Sequence, residues 1–309
     1  MTKEAIIRWL LEGDVAIQYQ TYRDLLGEER PDLQQQIAQT GWGARFLAAQ
    51  RPDGHWGQRF YQPKWTSTHY TLLDLRLLHI SPDLPSVQQC ITQLLQEEKS
   101  PDGGINPHTG IGQSDVCVNG MFLNYACYFG AAEKDLESII DFTLSQHMPD
   151  GGFNCRSNRS GAVHSSLHTT LSICEGLWEY ERQGYTYRLP ELQAAAAASR
   201  EFILLHQLYL SDRTGKIIHP DFLKFPFSGR WKYNILRALD YFQCSGQPWD
   251  NRMQAAMDVL TNKRTKDGRW KLNAKHPGQV HFEMEKAGQP SRWNTLRALR
   301  VYWSYDLES

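Results

Sequence analysis

HMPDGGFNC, residues 147–155, repeats almost letter for letter the segment KSPDGGINP at 99–107. RPDGHWG begins at Arg51 and TKDGRWKL at Thr265, and a weaker relative, SDRTGK, begins at Ser211. The glycines of these turns fall at 54, 103, 151, 215 and 268, so the spacings are 49, 48, 64 and 53 residues. Recurrence at this period marks a repeat architecture with one supersecondary unit per copy. Asp-Gly suits a tight reversal, because glycine takes a positive φ without a Cβ clash. The large residue that follows (Trp56, Phe153, Trp270, with Ile105 in the second copy) is placed to pack between successive units. These turns read as structural staples.

Each turn is flanked by helical patterns. HYTLLDLRLL follows the first, CVNGMFLNYACYFG the second, HTTLSICEGLWEYE the third, YNILRALDYFQ the fourth and NTLRALRVYWSY the fifth. Apolar residues recur at i, i+3, i+4 and i+7, and few alternating β-branched runs compete. The helix after each turn is apolar on more of its surface than the helix before it, such as VQQCITQLLQEE. The former suits an inner ring and the latter an outer one. A further helical pair lies in residues 1–40, ahead of five units in 41–309. Six pairs can close into a ring that leaves no apolar end exposed. The expected fold class is all-α, an (α/α)6 toroid forming one domain over 1–309.

The composition agrees with a globular chain. Of 309 residues, 41% are apolar and 22% charged. The net charge of −1 gives no overall attraction to nucleic acid or anionic membrane. No apolar run is long enough for a membrane span, and MTKEAIIRWLLEGD lacks a signal-peptide core. Six cysteines form no CxxC pair, which reads as free thiols in a reducing, cytoplasmic setting. Ten tryptophans exceed what a core needs, and several fall at repeated positions.

The PDGxWG and PDGGFN turns joined to alternating helices resemble the prenyltransferase and squalene-cyclase repeat superfamily, over roughly residues 40–305. The chain is most similar to its small, stand-alone bacterial squalene-cyclase-like members. The resemblance implies an (α/α)6 toroid and leaves the reaction open. The DxDD acid of alkene-protonating cyclases is absent, as is the GCGEQ segment of thioester domains. Protein prenyltransferases hold zinc with Asp-x-Cys at the start of one inner helix and a histidine at the start of the next. Carried over, that set is Asp115, Cys117 and His168, with Cys155 and His164 in reserve. Carboxylate, thiolate and imidazole suit zinc and leave one position open. The same residue types also fit ordinary roles: Asp115 as a helix cap, Cys117 and His168 as core residues. A protein prenyltransferase also works with a helical partner subunit, which nothing in this sequence reveals.

A second constellation lies in the later units. GRWKYNILRAL and SRWNTLRAL share Arg-Trp, Asn and Leu-Arg-Ala-Leu, which aligns Arg230 with Arg292 and Trp231 with Trp293. PKWTSTHYTLL puts Trp65 and His69 in a comparable place. An aromatic wall suits an isoprenoid chain and attracts cations, and Arg230 and Arg292 would hold an anionic head group. The expected function is a terpenoid- or prenyltransferase-like protein whose central cavity takes an isoprenoid or other apolar molecule, with zinc-assisted prenyl transfer or cyclisation as its reaction. Two rivals stand beside it. A carbohydrate-active toroid would use paired carboxylates from among Glu283, Glu285 and Asp221, and a scaffold would have a filled centre.

Overall fold

The structure is a computed structural model that describes residues 2–107, 112–155 and 161–307. Its helices are α1 (Lys3–Leu11), α2 (Val15–Thr21), α3 (Pro31–Gln36), α4 (Gly41–Ala48), α5 (Thr68–Leu77), α6 (Pro85–Glu97), α7 (Val116–Tyr128), α8 (Glu133–Ser145), α9 (Leu167–Arg182), α10 (Leu189–Leu205), α11 (Ile235–Cys244), α12 (Gln254–Asn262) and α13 (Arg292–Ser304). One short antiparallel pair, β1 (Trp270–Lys271) and β2 (Pro290–Ser291), ties the fifth turn to the start of α13.

Six helices form an inner ring: α2, α5, α7, α9, α11 and α13. Hydrogen bonds trace the circuit. Gln20 Nε2 donates to the Leu77 carbonyl at 3.2 Å, His69 Nδ1 meets the Tyr125 hydroxyl at 3.1 Å, and Asn124 Nδ2 donates to the Glu175 carbonyl at 3.0 Å. Arg237 Nε donates to Glu175 at 2.8 Å and Arg297 Nε to Asp240 at 2.8 Å. Arg300 then reaches Asp24, just after α2, at 2.8 Å and closes the ring. The outer helices show the burial contrast read from the pattern. In α6 only the stripe Val87, Cys90, Ile91, Leu94 and Leu95 is buried, whereas all 13 residues of α7 are.

The repeated turns act as clamps. Gly103 and Gly151 have φ of 89° and 91°. The preceding aspartates reach across to the next inner helix: Asp102 accepts from the Ser114 amide at 2.7 Å, and Asp150 from the Ser165 amide at 2.8 Å. A polar residue in the first turn of the inner helix holds the amide of the large residue after the turn. Thr68 takes Trp56, Asn119 takes Ile105, Thr170 takes Phe153 and Thr295 takes Trp270. The indoles of Trp56 and Trp270 each donate to a carbonyl ten residues earlier, those of Phe46 and Leu260.

The α7–α9 crossing is the tightest in the ring, and it depends on Gly120 and Gly176. A Cβ on Gly176 would run into the Gly120 carbonyl, and one on Gly120 would lie 2.6 Å from the Ser172 carbonyl. Both obstacles are backbone. Gly176→Ala is therefore expected to cost about 1–3 kcal/mol through overpacking. A thermal melt would show a drop of several degrees, and an unchanged Tm would contradict this crossing.

Candidate functional site

The inner helices start at one rim of the ring. There the long connection 272–291 folds over a cavity of about 610 Å³. Trp65, Phe227, Leu272, Val280, Phe282 and Met284 supply its apolar wall, and Arg230, Lys275 and Lys286 its cations. The loop is held at several points. The Trp65 indole donates to the Pro277 carbonyl at 2.5 Å. Gly278, with φ of 137°, lies so close to that ring that any side chain would collide with it. Phe282 packs on Phe46 with centroids 4.7 Å apart, and the Arg45 guanidinium lies 3.8 Å from the centroid of the Phe282 ring. His281 Nε2 meets the Thr71 hydroxyl at 2.9 Å.

The two carboxylates of this loop are both engaged. Glu283 is exposed and paired with Lys275. Glu285 is half-buried and accepts from the Ser291 hydroxyl at 2.5 Å and the Arg292 amide at 2.7 Å, so it caps α13. Burial raises its pKa, opposed by those hydrogen bonds.

Below the rim, along the ring axis, lies a second cavity of about 370 Å³. Phe227 and Arg230 line both spaces and form the partition. Arg230, at φ of 57°, pairs with buried Asp74. The axial cavity is charged. Arg23, Arg76, Arg182, Arg230, Arg237, Arg297 and Arg300 line it, with Asp24, Glu175 and Asp240. The acids are shared among the arginines: Asp24 by Arg23 and Arg300, Asp240 by Arg297 and Arg300, and Glu175 by Arg237. Buried Glu179 stands behind Arg76. Burial opposes the charge on Asp24, but Arg300 and then Arg23 outweigh it and hold the carboxyl below its usual range.

The residues singled out from sequence separate into groups. Trp65, Arg230 and Glu283 line the rim cavity. Trp293 lines the axial one, 4.4 Å from Phe227 between ring centroids. Trp231 lines neither; it stacks edge-on with His168 at 5.0 Å and lies beside Lys64 and Lys232. Arg292 turns away from Arg230, lying 4.6 Å over Trp9 and donating to the Trp9 carbonyl at 2.9 Å. The two arginines therefore do not converge on one head group. His69 is fully buried among Phe60, Tyr61, Tyr70 and Tyr125, and burial drives its pKa down to about 3.

The zinc set is not assembled. Among the described residues no group of three His, Cys, Asp or Glu side chains is placed to hold a metal. Cys117 packs with Cys155, whose sulfur accepts the Cys117 amide at 3.2 Å and the Thr169 hydroxyl at 3.6 Å. The Cys117 thiol donates to Cys155, and this, with burial, pushes its pKa well up, while the same hydrogen bond lowers that of Cys155. His168 accepts the Tyr233 amide on Nδ1 at 2.8 Å and is ringed by Phe222, Trp231 and Tyr233. The reserve residue His164 faces Arg213 at 3.1 Å. These residues do not fit a bound zinc ion.

Of the axial arginines, the repeat marks only Arg230 as a candidate site residue. The signal for the others was present as charges inside helices otherwise apolar all round, such as Asp74 and Arg76 in TLLDLRLL and Glu179 in GLWEYE.

No family model matches the chain, and no curated protein does. Among solved structures, a polysaccharide lyase superposes with a TM-score of 0.54 over 97% of this chain and 95% of that one, at 11% identity. The type II terpene cyclase MstE from Scytonema, in a complex with geranylgeranyl dihydroxybenzoate, matches over 97% and 94% at 15% identity, with a TM-score of 0.43. At such identities the likeness concerns the fold. The lyase superposition and the closed hydrogen-bonded circuit agree that this chain folds as an all-α toroid of paired helices.

Proposed function

We propose that the rim cavity binds an apolar small molecule of isoprenoid type, with its anionic end toward Arg230, Lys275 or Lys286. The observation that carries this reading is the 610 Å³ space under the 272–291 loop, walled by aromatic and aliphatic side chains and edged by cations. Its volume falls within the range of small-molecule sites, roughly 300–1,000 Å³. Burial of apolar ligand surface there supplies about 25 cal/mol per Å². The axial cavity suits an isoprenoid tail poorly, since the tail would desolvate the ion pairs without replacing their hydrogen bonds. Binding is the extent of the reading. Glu283 pairs with Lys275 and Glu285 caps α13, and the reading assigns neither a catalytic role.

Thermal shifts with farnesyl diphosphate, squalene and neutral oligosaccharides test this. A ligand at one hundred times its Kd adds about 2.7 kcal/mol, which amounts to a rise of several degrees. Farnesyl diphosphate or squalene is expected to give that rise, and Trp65→Ala to weaken binding about tenfold or more by removing a wall of the cavity. Stabilisation by oligosaccharides alone would overturn the reading.

A further inference from the structure

The axial cavity points to a ligand of a different kind, and the case for it does not depend on the rim cavity. The seven arginines that line it pair with five carboxylates: Asp24, Asp74, Glu175, Glu179 and Asp240. Two positive charges are left over. Three N–H donors on lining residues are buried with no acceptor: Arg76 Nε, Arg300 Nε and Trp293 Nε1. Those residues are only 5%, 9% and 2% exposed. Buried donors of this kind are seldom left unsatisfied, because each costs free energy. His79, also on the wall, adds no charge: burial, then Arg23 and Arg76, holds its pKa well below the usual histidine value. The space is also large enough for a small molecule.

We infer that the axial cavity binds a compact oxyanion carrying two negative charges, a phosphate or a dicarboxylate, held by charge-assisted hydrogen bonds from the arginine wall. The competing account has the arginines merely neutralise the carbonyl ends of the inner helices, which carry partial negative charge. It foresees no specific response to anions.

Calorimetric titration of the full chain separates the two. The probes are pyrophosphate, inorganic phosphate and succinate, with chloride at matched ionic strength as control. At least one dianion is expected to bind with one-to-one stoichiometry while chloride does not, and whichever of phosphate and succinate binds more tightly identifies the source. Two substitutions spare the buried ion pairs. Arg182 is 42% exposed and only loosely paired, 3.8 Å from Glu179. Ser304 is exposed at the open end. Arg182→Gln removes a donor and Ser304→Glu adds a negative charge, and each is expected to weaken the dianion about tenfold. No dianion binding above the chloride control, or binding undiminished in either variant, would overturn the inference. Trp65→Ala keeps it distinct from the rim proposal, since it is expected to weaken farnesyl diphosphate and leave pyrophosphate bound.

Discussion

Glu179→Ala is expected to lower stability by about 3–5 kcal/mol, the cost of leaving a buried charge without its partner. Glu179 is fully buried on α9 and pairs with Arg76 on α5, the two helices that flank α7. It also accepts from Gln183 Nε2 at 2.6 Å. Burial disfavours its charge, but Arg76 and the Gln183 hydrogen bond outweigh that and hold its pKa below the usual carboxylate range. Truncation strands the Arg76 guanidinium, itself 5% exposed, with one donor already unmatched. Since folded chains carry only about 5–15 kcal/mol in all, the loss would show as a large shift in a denaturant midpoint. Replacing both residues with apolar ones of similar size, Arg76→Met with Glu179→Leu, is expected to recover most of it. A single-mutant loss below about 1 kcal/mol would mean that the pair is solvated.

The second large effect is acid sensitivity. His69 and His79 are neutral in the fold, with pKa values driven to about 3 for His69 and well below normal for His79, burial being the main cause in both. Unfolded, each returns to about 6.5. Between those values the unfolded chain binds protons that the folded chain refuses, so stability is full above about pH 6.5 and falls as pH drops toward 3. Each histidine contributes about 1.4 kcal/mol per pH unit in that window, so these two add about 3, and His168 and His276, lowered to about 3 and about 4 mainly by burial, act in the same sense. Asp14, Glu98 and Glu285, whose pKa values burial raises, act in the opposite sense, but only as pH nears the carboxylate range. Melts from pH 7.5 to 5 should show Tm falling steeply below pH 6.5, with a shallower fall in His69→Gln. A flat Tm across that range would contradict neutral, buried histidines.

The fold was largely legible because its information is local and repeated. The spacing of Gly54, Gly103, Gly151 and Gly268, and the all-round apolar character of the helices after them, are visible without knowing any long-range contact. The site was less legible because its partners are remote in sequence. Arg76 finds Glu179 103 residues away, Arg230 finds Asp74 at 156, and Arg300 finds Asp24 at 276. Equivalence by repeat also misled. Arg230 and Arg292 sit in the same Arg-Trp dipeptide, but Arg230 occupies a left-handed turn ahead of α11 while Arg292 is the first residue of α13. With different backbones their side chains leave in different directions, and Trp231 and Trp293 part with them. Helix-start spacing put Cys117 and His168 at comparable positions, but it could not show the His168 ring turned to the Tyr233 amide.

A crystal structure grown with farnesyl diphosphate tests the central claim most directly. The account expects the prenyl chain to lie under the 272–291 loop against Trp65, Phe227 and Phe282, with its charged end beside Arg230 or a loop lysine. A rim cavity holding only solvent at saturating ligand, or a chain bound on the outer helices, would contradict it.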